Sequence, residues 1–491
     1  MFTLPVKQGV VDPEEKQRRL QNLKNAVPYV SQSALGAIIA HIAEHGLPSN
    51  DGVGCSRHGV RRARDAALAD EDTPFGPLIK RIELPSVHAP LANIVVDIAC
   101  PFGMLYVASK TRYFGGHLMA TYRRDPPVAR PWSLVLYSDE VTPGNPYKQL
   151  NHRMTQSIYW SFMNFGSSLL AKEDMWFTCA TLKSTDVQRV NGGMSAVYAG
   201  LLKLMLPAEG PSFHRSGILL HPDFGGGTLR VFASFDCNLS DESALHQVWL
   251  CKGASGIKCC VECMSVVNTN WIGLPFANPW FKPYSHPSTF HESGLVRHTV
   301  HTIHAIVDEL AAAKAVMGPT AFKEKEKSIG FTHNPNSILL DPALRDIVDP
   351  SRQNCFDWAH NILAGIVPNL VGLIASELHT LKFNFYEHMN EYVRLFTWPS
   401  RISNKKAEGL NCFCPKRARS SWAAGVWKCA QSEALSLHAV MAHFMRKVLI
   451  PNDMATAAAN CFLVLSSLIH MFVACAKGLV QLSYASTYKL V

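Results

Sequence analysis

Charged residues are scarce in this chain: of 491 residues, 17% are Asp, Glu, Lys or Arg, whereas 47% are hydrophobic. That balance excludes an intrinsically disordered polypeptide, which combines high charge with low hydrophobicity. The sequence also lacks internal repeats and low-complexity tracts, which excludes repeat and fibrous architectures. The length predicts two to four structural units of roughly 100–200 residues each, with cores large enough to need no disulfides.

The N-terminal stretch MFTLPVKQGVVDPEEKQRR has no apolar run of the kind found in secretory signals. We therefore expect the protein to work in a reducing compartment, where disulfides are rare. In that setting the 14 cysteines are expected to be metal ligands or buried core residues.

One nearly uncharged segment, residues 455–482, is long enough to cross a bilayer. It also contains Asn460, Ser466, Ser467 and His470 among many small residues. A buried core helix explains this composition equally well, and we expect no membrane span.

Strand-like runs occur at residues 132–139, 157–165, 175–182 and 228–235, and an amphipathic helix is predicted at 185–206. Three strands, a helix and a further strand in this order predict an α/β fold. We expect a mixed sheet with acidic side chains at its strand ends, like the RNase H-like fold.

We expect a large, mainly helical insertion to interrupt this core and a helical C-terminus to complete it. The predicted divisions are residues 1–125, a helical or mixed region of unknown role; 126–263, the first part of the core, ending in a Cys-x-x-Cys pair; 264–420, the insertion; and 421–491, the C-terminal helices.

Carboxylates at separate points of the chain are candidates for a catalytic metal site. Asp139 lies at the end of the first strand-like run, and Asp241 follows the fourth. Asp236 is an alternative to Asp241, because it lies directly at the predicted strand end. Two or three converging carboxylates are the ligands that Mg²⁺ needs for two-ion phosphoryl transfer, and Glu433, in a predicted helix, is the candidate third.

A Cys-x-x-Cys pair, Cys260 and Cys263, follows a Lys-Gly-x-x-Gly turn and suits a structural Zn²⁺ site, which needs two further ligands. Asp357 and His360 in DWAH are candidates, because their spacing places them on one face of a helix. The alternatives that remain open are Cys259 in place of Cys260, and His298, His301 or His304 as further ligands.

A basic segment precedes Glu433, and the whole chain carries a formal net charge of +9, which suits a polyanionic partner. Lysines and arginines of this kind contact phosphates and set affinity rather than sequence choice. A solvated loop is the alternative. The candidate phosphate-binding residues are Lys405, Lys406, Lys416, Arg417 and Arg419.

Taken together, these motifs resemble a DDE transposase of the CACTA–Mirage–Chapaev group, distantly related to the catalytic subunit of the V(D)J recombinase. The resemblance covers about Trp132 to Leu449. It rests on YSDEVTPGNPY with Asp139, on SDESAL followed by KGASGIKCCVEC, on DWAH, and on the helix with Trp427 and Glu433. The second motif favours Asp241 over Asp236.

The resemblance implies DNA strand cleavage and transfer by an Asp139, Asp241 and Glu433 triad with Mg²⁺ or Mn²⁺, and a structural Zn²⁺. It further implies transposon ends and target DNA as partners, a homo-oligomer and a nuclear location. Residues 1–125 match no DNA-binding module. A truncated chain, or a catalytically inactive or domesticated DNA-binding derivative, is therefore the alternative.

Overall fold

The computed structural model describes residues 18, 32–45, 72–88, 93–141, 154–222, 229–253, 256–258, 260–266, 286–287, 295–400 and 404–476. It divides the chain into two units, residues 1–70 and 71–491. In the first unit, Gln32–His45 is a helix. The sheet, the cores and the candidate site all belong to the second unit.

A five-stranded mixed sheet organises the second unit. Its strands are β1, Trp132–Val141; β2, Thr155–Phe162; β3, Phe177–Lys183; β4, Ala233–Ser240; and β5, Asn354–Phe356. Their order in the sheet is β5-β4-β1-β2-β3. β2 is antiparallel to both of its neighbours, whereas β1, β4 and β5 run parallel to one another.

The structure describes further strands and helices in the second unit. The other strands are Asp72–Thr73, Gly76–Pro77, Ile79–Pro85, Asn93–Ala99, Ile218–Leu219, Arg230–Val231, Ser265–Val266 and His286–Pro287. The α-helices are Pro101–Ser109, Arg112–Arg124, Ser167–Leu170, Ser184–Val187, Gly193–Met205, Glu242–Trp249, Val300–Val316, Pro319–Ile329, Val367–Thr380, Phe385–Leu395, Lys405–Cys412, Pro415–Ala424, Gln431–Phe444 and Thr456–Ala476. Shorter 3₁₀ or π-helical turns are Met163–Phe165, Glu173–Met175, Ala359–Ile366, Met445–Leu449 and Ile450–Asn452.

The mixed α/β fold and the helical C-terminus confirm the coarse prediction from the sequence. β5 was not predicted, and it lies inside the segment expected to be a helical insertion. Three residues, one of them Asn, give too short a run for strand alternation to stand out.

Two hydrophobic cores form on this framework. The first contains Trp132, Leu134 and Leu136 of β1 together with the other sheet strands and their covering helices. The second is helical, and its members include Val371 and Phe462, both fully buried. The sheet and the C-terminal helices therefore have separate apolar interiors.

Within the described ranges, two helices, Ala359–Thr380 and Thr456–Cys475, are long and apolar enough to cross a membrane. Both contribute side chains to the second core. A core helix passes the same test of length and composition, so the finding is weak evidence for a span and compatible with a chain that does not enter a membrane.

Gly372 lets two parts of the second core approach closely. A Cβ there would lie 2.8 Å from Val426 Cα, and closer still to the Gly425 carbonyl oxygen. We expect Gly372→Ala to lower the free energy of unfolding by about 1–3 kcal/mol, because backbone must move to make room. Gly116→Ala is the matched control, since Gly116 lies in a helix with open space around it. Equal urea midpoints for the two variants would contradict the close packing.

Candidate active site at one edge of the sheet

Three aspartates lie at the same level of the three parallel strands: Asp139 is two residues before the end of β1, and Asp241 and Asp357 directly follow β4 and β5. Tyr137 of β1 pairs with Leu239 of β4, and Ser240 of β4 pairs with Phe356 of β5. Continuing this register by one or two residues places Asp139, Asp241 and Asp357 side by side. Neighbouring strands lie about 4.8 Å apart, so the three backbones are close. The Asp357 amide donates to the Ser240 carbonyl oxygen at 3.3 Å, which extends the pairing to this level.

The same register places the three aspartates on one face of the sheet, because partners in parallel strands point the same way. Tyr137 lies on this face and stacks on Tyr159 of β2, with ring centroids 5.8 Å apart. Burial raises the pKa of the Tyr137 phenol, and the negative charges of Asp139 and then Asp357 raise it further. The pKa of this one phenol is thus raised by two of the three acids.

β4 continues five residues past Phe235, as far as Ser240, so Asp241 and not Asp236 lies at its end. Asp236 is the extra residue of a bulge, because Phe235 pairs with Leu134 but Cys237 pairs with Val135. The Ser133 hydroxyl donates to Asp236 Oδ2 at 2.7 Å. This geometry favours Asp241 as the strand-end acid.

The three aspartates differ in how many of their oxygens are already bound. Asp241 caps the helix Glu242–Trp249, where its Oδ1 accepts from the Ala244 amide at 2.7 Å. Asp357 uses both oxygens: Oδ1 accepts from the Ala359 amide at 2.8 Å, and Oδ2 lies 2.6 Å from His360 Nδ1. Among the described residues, Oδ2 of Asp241 has no hydrogen bond, whereas Asp139 interacts through a side-chain hydrogen bond with the Tyr137 phenol.

A cavity of about 480 Å³ is lined by residues that follow two of these acids in the chain, although none of the three aspartates lines it. Glu242, next to Asp241, lines it on one side, and His360 and Asn361 line it on the other. The segment after Asp357, Ala359–Ile366, is a π-helix, a form that is rare and frequent at functional sites.

Within the described ranges, no three side chains of His, Cys, Asp or Glu already surround one point as metal ligands. The carboxylates at the sheet edge are aligned without converging. Asp139 and Asp241, with oxygens to spare, nevertheless have the donor chemistry that Mg²⁺ prefers.

Glu433 lies in the first turn of the helix Gln431–Phe444, in the helical part of the unit. Arg417 donates hydrogen bonds to both of its carboxylate oxygens, at 2.6 and 2.7 Å. The Ala430 amide donates to Oε2 at 2.7 Å. The hydrogen bonds from Arg417 are the main reason that the pKa of Glu433 is lowered. Both oxygens of Glu433 therefore already have hydrogen-bond partners within the helical part of the unit.

The two predicted zinc-binding cysteines lie together. A hydrogen bond with Cys263 is the main cause of a raised pKa at Cys260, and burial adds to it. Of the proposed histidines, His298 is bonded through its backbone to the segment between the two cysteines: its amide donates to the Glu262 carbonyl oxygen at 2.8 Å. Burial, and then Lys258, lowers the pKa of His298 to about 3, which keeps its ring neutral.

The other predicted zinc ligands belong to two further segments. Asp357 and His360 face each other at the sheet edge, and His301 and His304 lie on the helix Val300–Val316. Cys259 lies outside the described residues.

The predicted phosphate-binding residues divide into two groups. Lys405 pairs with Glu408 at 2.5 Å, and Arg417 is held by Glu433. Lys416 and Arg419 are exposed, and Lys406 is half-buried. Exposed side chains on the helix Pro415–Ala424 are thus the part of this set that is available to a polyanion.

Sequence reasoning did not single out Tyr137 or Glu242 as members of this site. Tyr137 is two residues before Asp139 and Glu242 directly follows Asp241, both of which it did select. Only the sheet register and the cavity reveal that they share the same edge.

Comparison of the chain with models of known protein families finds no match, and comparison with curated proteins finds none. The family indicated by the sequence motifs therefore stays a prediction.

The Arg417–Glu433 pair should make a pH-dependent contribution to stability. The lowered pKa of Glu433 means that the folded state favours its ionised form, so the contribution is full above pH 4.5 and is lost as the pH falls through the folded-state pKa. We expect Glu433→Gln to lower the free energy of unfolding at pH 7 by about 1–3 kcal/mol. The difference from wild type should shrink as the pH falls below 4.5.

Urea unfolding at several pH values measures this difference. Asp97→Asn is the control, because its partner Arg81 is 77% exposed and Asp97 is 63% exposed. Exposed pairs contribute about 0–1 kcal/mol. A Glu433→Gln protein as stable as wild type at pH 7 would refute a structural role for the pair.

Proposed function

We propose that the protein is a transposase-like polynucleotidyl transferase that cleaves and transfers DNA strands with Mg²⁺ or Mn²⁺. The observation that carries the proposal is the in-register position of Asp139 and Asp241 at the carboxyl ends of two neighbouring parallel strands. Ligands in open α/β sheets gather at these strand ends.

The topology supports the same proposal. The order β5-β4-β1-β2-β3, with only β2 antiparallel to its neighbours, is the arrangement expected of an RNase H-like core. Such a core presents one acid on its first strand and another at the end of its fourth. Asp139 and Asp241 lie at those two places in this sheet.

The chemistry required of the chain is modest. When bound, a pair of divalent ions would activate the attacking oxygen and stabilise the leaving oxygen of the phosphodiester. Asp139 and Asp241 would hold and orient these ions with hard oxygen ligands. Glu433, the third ligand indicated by the motifs, would have to exchange Arg417 for an ion before it could take part.

Substitution of the two strand-end acids tests the proposal. We expect Asp139→Asn and Asp241→Asn to lower Mn²⁺-dependent nicking of DNA by at least about 100-fold, because each removes a charged ligand. Asp236→Asn should stay within about tenfold of wild type, since an amide oxygen can still accept from Ser133.

The assay follows nicking of DNA that carries transposon ends, with the products separated on denaturing gels. Asp97→Asn, which changes an exposed acid of the strand Asn93–Ala99, is the control for general effects of lost charge. Wild-type cleavage that Asp139→Asn and Asp241→Asn leave unchanged would refute the site.

A catalytically inactive DNA-binding derivative of a transposase is the second candidate. The observation that favours it is the complete occupation of the Glu433 oxygens by Arg417 and Ala430. Salt-dependent DNA binding without metal-dependent cleavage would support this candidate, and strand transfer would exclude it. In both cases DNA is the partner, in the nucleus, with a homo-oligomer expected.

We also propose a structural Zn²⁺ held by Cys260 and Cys263, with further ligands from the Asp357–His360 pair or from His298. Metal analysis should find one zinc per chain, and Cys260→Ser should lose it because a tetrahedral site needs each thiolate. Cys461→Ser is the control, since Cys461 is exposed on the helix Thr456–Ala476 and is not among the candidate zinc ligands. Zinc that survives Cys260→Ser would place the ion elsewhere.

A further inference from the structure

We infer that the exposed face of the helix Arg112–Arg124 is a docking surface for the phosphate backbone of duplex DNA. The surface does not include the strand-end acids. The inference rests on the proposed function only in taking DNA as the partner. It requires neither a metal ion nor the cleavage reaction, so a binding measurement decides it.

The first support is the charge of this helix. Its 13 residues include three arginines and no acid, which gives +3 of the formal net charge of +9 that the whole chain carries. On the helix Pro319–Ile329, by contrast, the exposed Lys323 and Lys327 belong to a run in which lysine and glutamate alternate. A local excess of one sign favours a partner of the opposite sign, here a polyanion.

The second support is the arrangement of the exposed side chains. The helix buries its other face in the first core, through residues such as Phe114. Arg112 and Arg123 are close to three full turns apart, so they lie on the same face, about 16 Å from each other along the axis. Gly116 and Ala120, which are also exposed, lie between them. The face is thus positive at both ends and has small side chains in its middle, so a phosphate backbone can approach closely.

The third support is that two residues of this face weaken the helix. Arg112 is its first residue, where the macrodipole favours an acidic side chain and disfavours a positive one. Within the described part of the chain, Arg112 has no ion-pair partner that would offset this effect. Gly116 would meet nothing within 4 Å if it carried a Cβ, so packing does not require glycine there. Residues that break local rules without a structural gain are expected where a surface binds a ligand.

The arginines of the last turn carry less of the argument. Positive side chains stabilise the C-terminus of a helix, which explains Arg123 and Arg124 in part. Arg124 also donates to the Asn164 carbonyl oxygen. Asp125, the acid that follows the helix, accepts from Asn164 Nδ2 and forms no ion pair with either arginine among the described contacts. Arg112 is therefore the most informative residue of the surface.

A duplex is the occupant that fits this face. Double-stranded DNA carries one negative charge per about 1.7 Å of its axis, so arginines about 16 Å apart meet several phosphates at once. Contacts of this kind position the duplex and carry no sequence information. The surface should therefore bind DNA of any sequence with strong dependence on salt.

Binding of the full chain to a mixed-sequence DNA duplex in EDTA, over a range of NaCl concentrations, tests the surface. We expect Arg112→Gln with Arg123→Gln to reduce the slope of log K against log salt by about 2, because two phosphate contacts are lost. The Kd should rise about 10–100-fold at about 0.1 M salt. Arg112→Lys with Arg123→Lys should keep most of the slope, since lysine also contacts phosphate.

Lys323→Gln with Lys327→Gln is the matched control, because it removes the same charge from an exposed helix of mixed sign. Its slope should stay within about 0.5 of wild type. Gly116→Glu places a negative charge in the middle of the face and should raise the Kd by about tenfold, whereas Gly116→Ala should bind like wild type. Urea unfolding checks that each variant is folded.

The outcomes separate this surface from the cleavage function. An unchanged slope in the Arg112 and Arg123 double variant, or an equal loss in the lysine control, would overturn the surface and leave strand cleavage as proposed. A loss confined to an RNA duplex would assign the face to RNA and likewise overturn the inference. DNA binding that the double variant loses, in a protein that cuts no DNA, would support the surface and refute cleavage. A wild-type protein that binds no duplex would overturn both.

Discussion

Parallel pairing of β1, β4 and β5 is the constraint on which the candidate site depends. Side chains alternate faces along a strand, so a slip of one residue would turn an acid to the opposite face. The bulge at Asp236 sets the register: without its extra residue, Ser240 instead of Asp241 would lie opposite Asp139. Asp236 is therefore tied to the site through the backbone, and its bond to Ser133 holds the bulge in place.

Local hydrogen bonds then decide what each acid is able to do. Asp241 stabilises a helix start, an interaction that contributes about 1 kcal/mol, and retains a second oxygen. Asp357 and Glu433 have both oxygens engaged by neighbours, one by a histidine and the other by an arginine. Acids that look equivalent in the sequence thus differ in their capacity to bind an ion.

The sequence predicted the four longer sheet strands because each is an apolar run bounded by turn residues. It selected Asp139 and Asp241 from their motifs, but placed Asp236 at a strand end that the structure moves to Ser240. It missed β5, whose three residues have no clear alternation. The Arg417–Glu433 pair also escaped it, since contacts across 16 positions depend on how helices pack and leave no periodic signal.

The helical core contributes to the site through the residue between Asp357 and Ala359. Trp358 stacks on Phe472 of the C-terminal helix, with ring centroids 5.4 Å apart and planes 17° apart. That contact packs the residue before the π-helix against the C-terminal helix. Because His360 is two residues further on, its orientation depends on both cores: the sheet holds Asp357, and the C-terminal helix holds the turn that presents the imidazole.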